Sequence, residues 1–168
     1  MSDLGWLNAL PAEQAEAEFL KCCGSQSWAT RMTGERPFAD LESVLGKANL
    51  IWSSLTAEDW LEAFRSHPKI GEKKAEQAQS SVAKAWSEQE QSGTRDSATE
   101  TMTALAEGNR EYAERFGFIF IVCATGKSAA EMLGLLRSRL DNAPADELRI
   151  AAEEQRKITE LRLRKLIG

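Results

Sequence analysis

The sequence predicts an all-α fold, and three observations carry that expectation. Apolar residues recur at helical spacing, as at Leu41, Val44, Leu45, Ala48 and Trp52. Each of the four prolines falls where a helix begins or a loop runs. The continuous apolar run from Phe118 to Ala124 has no second clear strand to pair with.

The elements follow in chain order. Pro11 suits the first turn of a helix running to about Cys22, with Gly24 as its stop. Trp28 to Pro37 reads as irregular. The stripe from Leu41 to Trp52 marks the next helix. Thr56 and Asp59 form a capping-box-like start for Trp60 to Arg65, which delivers the chain to His67. Ser80 to Gln91 reads as helical and ends at Ser92-Gly93. A long helix follows from about Asp96 to Arg115 and closes at Phe116-Gly117. Phe118 to Ala124 fits a buried strand or a buried helix turn, and so short a run leaves both open. The all-α expectation favours a buried segment. Lys127 to Leu140 forms a helix closing at Asp141-Asn142, and Pro144 opens the last one. There Leu148, Ala151, Ile158 and Leu166 share one side, and Glu153, Lys157, Glu160 and Arg164 share the other. Glu153/Lys157 and Glu160/Arg164 stand in the favourable i,i+4 order. No repeat or linker interrupts the chain, so residues 1–168 read as a single domain.

Composition bounds the function. Hydrophobic residues make up 42% and charged residues 28%, ordinary for a globular chain. A chain of this length buries roughly 70% of its unfolded surface. The net charge of −5 argues against nucleic acid or an anionic membrane as the main partner. It leaves room for a local basic pocket that takes an anionic small molecule. Cys22, Cys23 and Cys123 are odd in number and two are adjacent, which is no disulfide framework and suits a reducing cytoplasm. Met1-Ser2-Asp3-Leu4 lacks the basic-then-apolar pattern of a signal peptide. No stretch approaches the ~20 apolar residues of a membrane span. Lys165-Leu166-Ile167-Gly168 is not a peroxisomal Ser-Lys-Leu address. A cytoplasmic protein is expected.

Several motifs fail. Gly126-Lys127-Ser128 resembles the end of a phosphate-binding loop, but Ile121 stands where that loop needs its first glycine. One histidine and a Cys-Cys dipeptide do not make a zinc set. No Gly-x-Ser-x-Gly elbow is present. Cys22 and Cys23 read as helix-face residues rather than redox groups. Trp6, Trp28, Trp52, Trp60 and Trp86 read as core or groove-lining residues.

One motif stands out. Ser66-His67-Pro68-Lys69-Ile70-Gly71 holds the chain's single histidine. Imidazole gives or takes a proton near neutrality. Pro68 disfavours the α conformation at His67, so the ring is expected at a helix end on an extended turn. Such a turn can aim a proton-transfer group. The plain alternative is a partly buried histidine that only bonds backbone.

Three further segments join it. They are Trp86-Ser87-Glu88-Gln89-Glu90-Gln91-Ser92-Gly93, the aromatic-rich run from Phe116 to Ala124, and Arg139-Leu140-Asp141-Asn142. With Cys23-Gly24-Ser25, Trp28-Ala29, Arg36-Pro37-Phe38 and Asp59-Trp60-Leu61, this ordered set resembles the OHCU decarboxylase family. Its members are 2-oxo-4-hydroxy-4-carboxy-5-ureidoimidazoline decarboxylases of urate degradation. The resemblance covers nearly the whole chain. It implies an all-α fold, a homodimer, no metal or organic cofactor, and the last step from urate to (S)-allantoin. It makes His67 the catalytic residue, and the carboxylate of Glu90, were it near His67, would assist catalysis by raising the imidazole pKa. It places substrate contacts at Pro68, at Ser87, Glu88, Gln89, Glu90 and Gln91, and at Phe120, Ile121, Val122, Cys123 and Ala124. It also assigns Arg139, since Arg137 lies elsewhere around a helix.

Residue chemistry suits that reaction. A carboxylate on a hydroxyl-bearing ring carbon beside a C=N bond carries its own electron sink, so no cofactor is needed to accept the electron pair. One positioned acid then sets the stereochemistry of protonation. Glu90 and Gln91 suit a ureido group, but point about 100° apart on a helix. Arg139 is expected to orient the ligand through an oxygen-bearing edge. A tight clamp on the departing carboxylate would hold the ground state rather than the transition state. The rival of a different class is a catalytically silent helical binding module on the same scaffold. A third reading is an enzyme acting on another ureido acid.

Overall fold

The computed structural model describes residues 4–67 and 95–168, which form eight helices and no strand. These are α1 (Leu4–Ala9), α2 (Ala12–Cys22), α3 (Gln26–Gly34), α4 (Leu41–Ser54), α5 (Ala57–Arg65), α6 (Arg95–Phe116), α7 (Ala129–Arg139) and α8 (Pro144–Ile167). No helix among the described residues is long and apolar enough to cross a membrane. The expected helix at Ser80–Gln91 lies outside the described residues, as does Trp86.

The chain divides into two compact units, Met1–Ser66 with Ala152–Gly168, and His67–Ala151. In the first, Pro11 occupies the N-cap of α2 and Cys23 its C-cap, close to the expected limits. The stretch expected to be irregular, Trp28 to Pro37, is helical through Gly34. Two side chains satisfy the first N–H groups of α3. The Ser25 hydroxyl accepts from Trp28 N at 3.3 Å, and the Glu62 carboxylate accepts from Gln26 N at 3.1 Å. Trp28, Ala29, Met32 and Thr33 then share a buried helical face. Phe19 meets Trp28 and Phe38 edge-on, at 5.9 and 6.4 Å between ring centroids.

Indole N–H groups tie this unit together. Trp28 donates to the Ala48 carbonyl at 3.2 Å, Trp52 to that of Ala152 at 2.9 Å, and Trp60 to that of Trp52 at 3.0 Å. The capping box read at Thr56 and Asp59 is present, and it starts α5 at Ala57, three residues before Trp60. Trp6, by contrast, is an exposed residue.

The last helix departs from expectation in two ways. Its buried residues are Glu147, Ala151, Ala152, Gln155, Thr159, Leu163 and Ile167, while Leu148, Ile158 and Leu166 are only half-buried. Polar residues can take inward positions because they find partners, as Gln155 does in Thr159 at 3.0 Å. The pair Glu160–Arg164 forms at 3.0 Å as expected. Glu153 meets Arg156 at 2.7 Å and also feels the charge of Lys157, which meets Glu154 at 2.6 Å. Spacings of three and four are both within reach on a helix surface.

Candidate active site

The histidine turn begins where α5 stops. Ser66 caps the helix, its N–H and its hydroxyl both donating to the Ala63 carbonyl at 3.2 and 2.6 Å. His67 follows immediately, non-helical and half-buried, as the proline behind it predicts. Gly24 lies hard against this turn. A Cβ there would stand 2.3 Å from Ser66 Oγ and 2.4 Å from Ser66 Cβ. The glycine of Cys23-Gly24-Ser25 is therefore a requirement of close approach.

The apolar run from Phe118 to Ala124 is neither a strand nor a helix turn. It lies between two glycines in the left-handed region, Gly117 at φ 82° and Gly126 at φ 77°. Phe118, Phe120, Ile121 and Cys123 are buried, Ile119 and Val122 are half-buried, and Ala124 is exposed. Side chains from a helix and from the following loop hold the segment. Tyr112 of α6 packs against Phe118 and Phe120, with centroids 5.7 and 5.4 Å away. Lys127 Nζ donates to the Cys123 carbonyl at 2.7 Å.

Arg139 is the principal anchor. It is 6% exposed, so it is no surface charge on a helix end. Its Nη1 donates to the Ile121 carbonyl at 2.6 Å, and its Cζ lies 4.6 Å from the Phe120 centroid. Its Nε donates to the Glu147 carboxylate, and its Nη2 donates to the Tyr112 hydroxyl at 3.3 Å. Glu147 is fully buried and also accepts from the Tyr112 phenol at 2.6 Å and from Asn142 Nδ2 at 3.0 Å. Both ends of Arg139-Leu140-Asp141-Asn142 thus reach one carboxylate. Burial, and then the bond to Glu147, push the Tyr112 phenol far above its ordinary range.

Of the expected site residues, the structure brings Arg139, Phe120 and Ile121 into direct contact. Pro68, Ser87, Glu88, Gln89, Glu90 and Gln91 lie outside the described residues. Sequence reasoning missed Glu147 and Tyr112. An acid in the first turn after Pro144 reads as an exposed partner of the helix dipole, and no local signal marks it as buried.

Fold and site together define an all-helical protein with its one imidazole just beyond a helix end and an irregular apolar segment pinned by a buried guanidinium. A family profile described as OHCU decarboxylase matches residues 8–164. The chain belongs to the OHCU decarboxylase family. It is 39% identical over 156 residues to the uric acid degradation bifunctional protein TTL of Arabidopsis thaliana, across 93% of this chain and 48% of that one. It is 34% identical over 135 residues to the 2-oxo-4-hydroxy-4-carboxy-5-ureidoimidazoline decarboxylase of Amia calva, across 79% of this chain and 75% of that one. The chain thus spans about half of the first relative and three quarters of the second. A crystal structure of OHCU decarboxylase in the presence of (S)-allantoin superposes with a TM-score of 0.73 at 42% identity, covering 89% of this chain and 96% of that one.

Proposed function

We propose that this chain decarboxylates 2-oxo-4-hydroxy-4-carboxy-5-ureidoimidazoline to (S)-allantoin, with His67 as the proton donor. One observation carries the reading. The chain matches, over nearly all of its partner's length, an OHCU decarboxylase whose structure was determined with (S)-allantoin. The C–C bond to the carboxylate breaks, carbon dioxide leaves, and the electron pair enters the neighbouring C=N bond. The imine nitrogen takes a proton as the pair reaches it, and the enol hydroxyl then gives up its proton to become a carbonyl as the former imine carbon takes one. An imidazole just past a helix end, with the pyrrolidine ring of Pro68 behind it to restrict its backbone, suits delivery of that proton to one face.

Phe120 and Ile121 line the ligand and exclude water, Val122, Cys123 and Ala124 continue that wall, and Pro68 and Ser87–Gln91 complete the contacts. Glu90 favours the protonated imidazole. Arg139 acts on the ligand by orienting the segment that meets it, since its bonds go to Ile121, Tyr112 and Glu147. A homodimer in the cytoplasm, consuming the unstable product of an upstream hydrolase in urate degradation, belongs to the same reading.

The test follows the ultraviolet signal of freshly generated substrate and the circular dichroism of the product. The wild type is expected to speed the loss of signal and yield a single enantiomer. His67→Ala is expected to lose roughly 10²–10⁴-fold in kcat. A wild-type chain that leaves the spontaneous rate unchanged refutes the activity. Equal turnover by both proteins refutes the role of His67.

A further inference from the structure

We infer that Glu147 is a positioning residue for substrate binding, setting Arg139 and, through it, the Phe120–Ala124 wall; this rests on the decarboxylase reading. The segment between Gly117 and Gly126 has no helical or strand ladder of its own. Its place therefore depends on side chains that reach its backbone and rings. Arg139 does both at once, through the Ile121 carbonyl at 2.6 Å and the Phe120 ring at 4.6 Å.

A planar fork aims all its donors together, so whatever fixes Nε fixes Nη1. Glu147 fixes Nε. The same carboxylate collects the Tyr112 phenol from α6 and Asn142 from the loop after α7, at 2.6 and 3.0 Å. Three donors from two stretches of chain thus converge on one acid in the first turn of α8. Glu147 and Tyr112 are both 0% exposed, so bulk water does not reach them and each depends on its protein partners. Tyr112 reinforces the arrangement by packing its ring on Phe118 and Phe120 while its hydroxyl bonds Glu147. The guanidinium cannot swing away without releasing the Ile121 carbonyl and the Phe120 face together.

The experiment uses the full chain with Glu147→Gln, and Tyr112→Phe as the milder variant should the first fail to fold. Amide hydrogen exchange reads the segment, and steady-state kinetics on freshly generated substrate read the site. In each variant that folds, exchange in residues 118–124 is expected to quicken by about tenfold or more, with α6 and α7 protected as in wild type. KM is expected to rise several-fold with kcat changed by less than about twofold, the signature of lost uniform binding. Segment exchange unchanged from the wild type overturns the inference. A loosened segment with wild-type KM also overturns it, while leaving the decarboxylase reading intact. If that reading is what fails, the wild type itself does not turn over, and the inference about the substrate falls with it.

Discussion

Replacing Gly24 by alanine should cripple turnover more than it harms stability, because the residue it strikes is the neighbour of His67. The added Cβ would lie 2.3 Å from Ser66 Oγ and 2.4 Å from Ser66 Cβ. Carbon atoms rest at about 3.5–4.0 Å, so a gap of more than about 1 Å must open. Rotating the hydroxyl aside does not suffice, since the Ser66 Cβ is itself in the way and is fixed to the backbone. The Ser66 hydroxyl is also held by the Ala63 carbonyl at 2.6 Å. The backbone at Ser66 must therefore give, and one peptide bond carries that shift to His67. Overpacking of this kind costs about 1–3 kcal/mol in stability. Misplacing a catalytic group by about 1 Å can cost about 10²-fold in rate. Chemical denaturation measures the first and the decay of fresh substrate measures the second. Adding Ser66→Gly removes both clashing atoms and should restore most of the rate. Wild-type kinetics and midpoint for Gly24→Ala would refute the argument. So would a double variant no better than the single one.

Two further outcomes follow from local geometry. Thr56→Ala removes the hydroxyl that accepts from Asp59 N at 3.3 Å, and should lower unfolding free energy by about 1 kcal/mol, with Thr56→Ser close to wild type in a urea titration. Burial raises the Cys22 thiol to about 12 and the Cys23 thiol to about 11, from 9.0 in each case. Because both folded-state values are raised, this stability is fully present below pH 9 and is lost as pH climbs toward 11 and 12. Moving from pH 8 to pH 10 should cost about 1 kcal/mol per thiol, and Cys22→Ala should flatten the slope. A denaturation midpoint independent of pH across that range would contradict the burial argument.

Where helices begin and end was readable because capping chemistry acts within a few residues. Pro11, the Thr56–Asp59 box, Phe116-Gly117 and Pro144 all mark real boundaries. Helix α3 was readable in principle, with Ser25 before Trp28, Ala29 and Met32, but the stretch through Arg36 and Pro37 blurred it. The face of α8 was not readable. Hydropathy favours Leu148, Ile158 and Leu166, whereas the most buried row runs through Glu147, Ala151, Gln155, Thr159, Leu163 and Ile167. A polar residue turns inward when a partner waits there, and the partner of Glu147 is Tyr112, 35 positions away. The site divides along the same line. Pro68 weights His67 against a helical conformation, and that much is legible because the constraint passes through one peptide bond. Arg139 was found through a motif, yet a motif does not say why its arginine is required. A guanidinium that touches substrate and one that places the wall touching substrate leave the same letter in the chain. What separates them is where Nη1 and Nη2 point, and here they meet the Ile121 carbonyl and the Tyr112 hydroxyl while the buried Glu147 holds Nε.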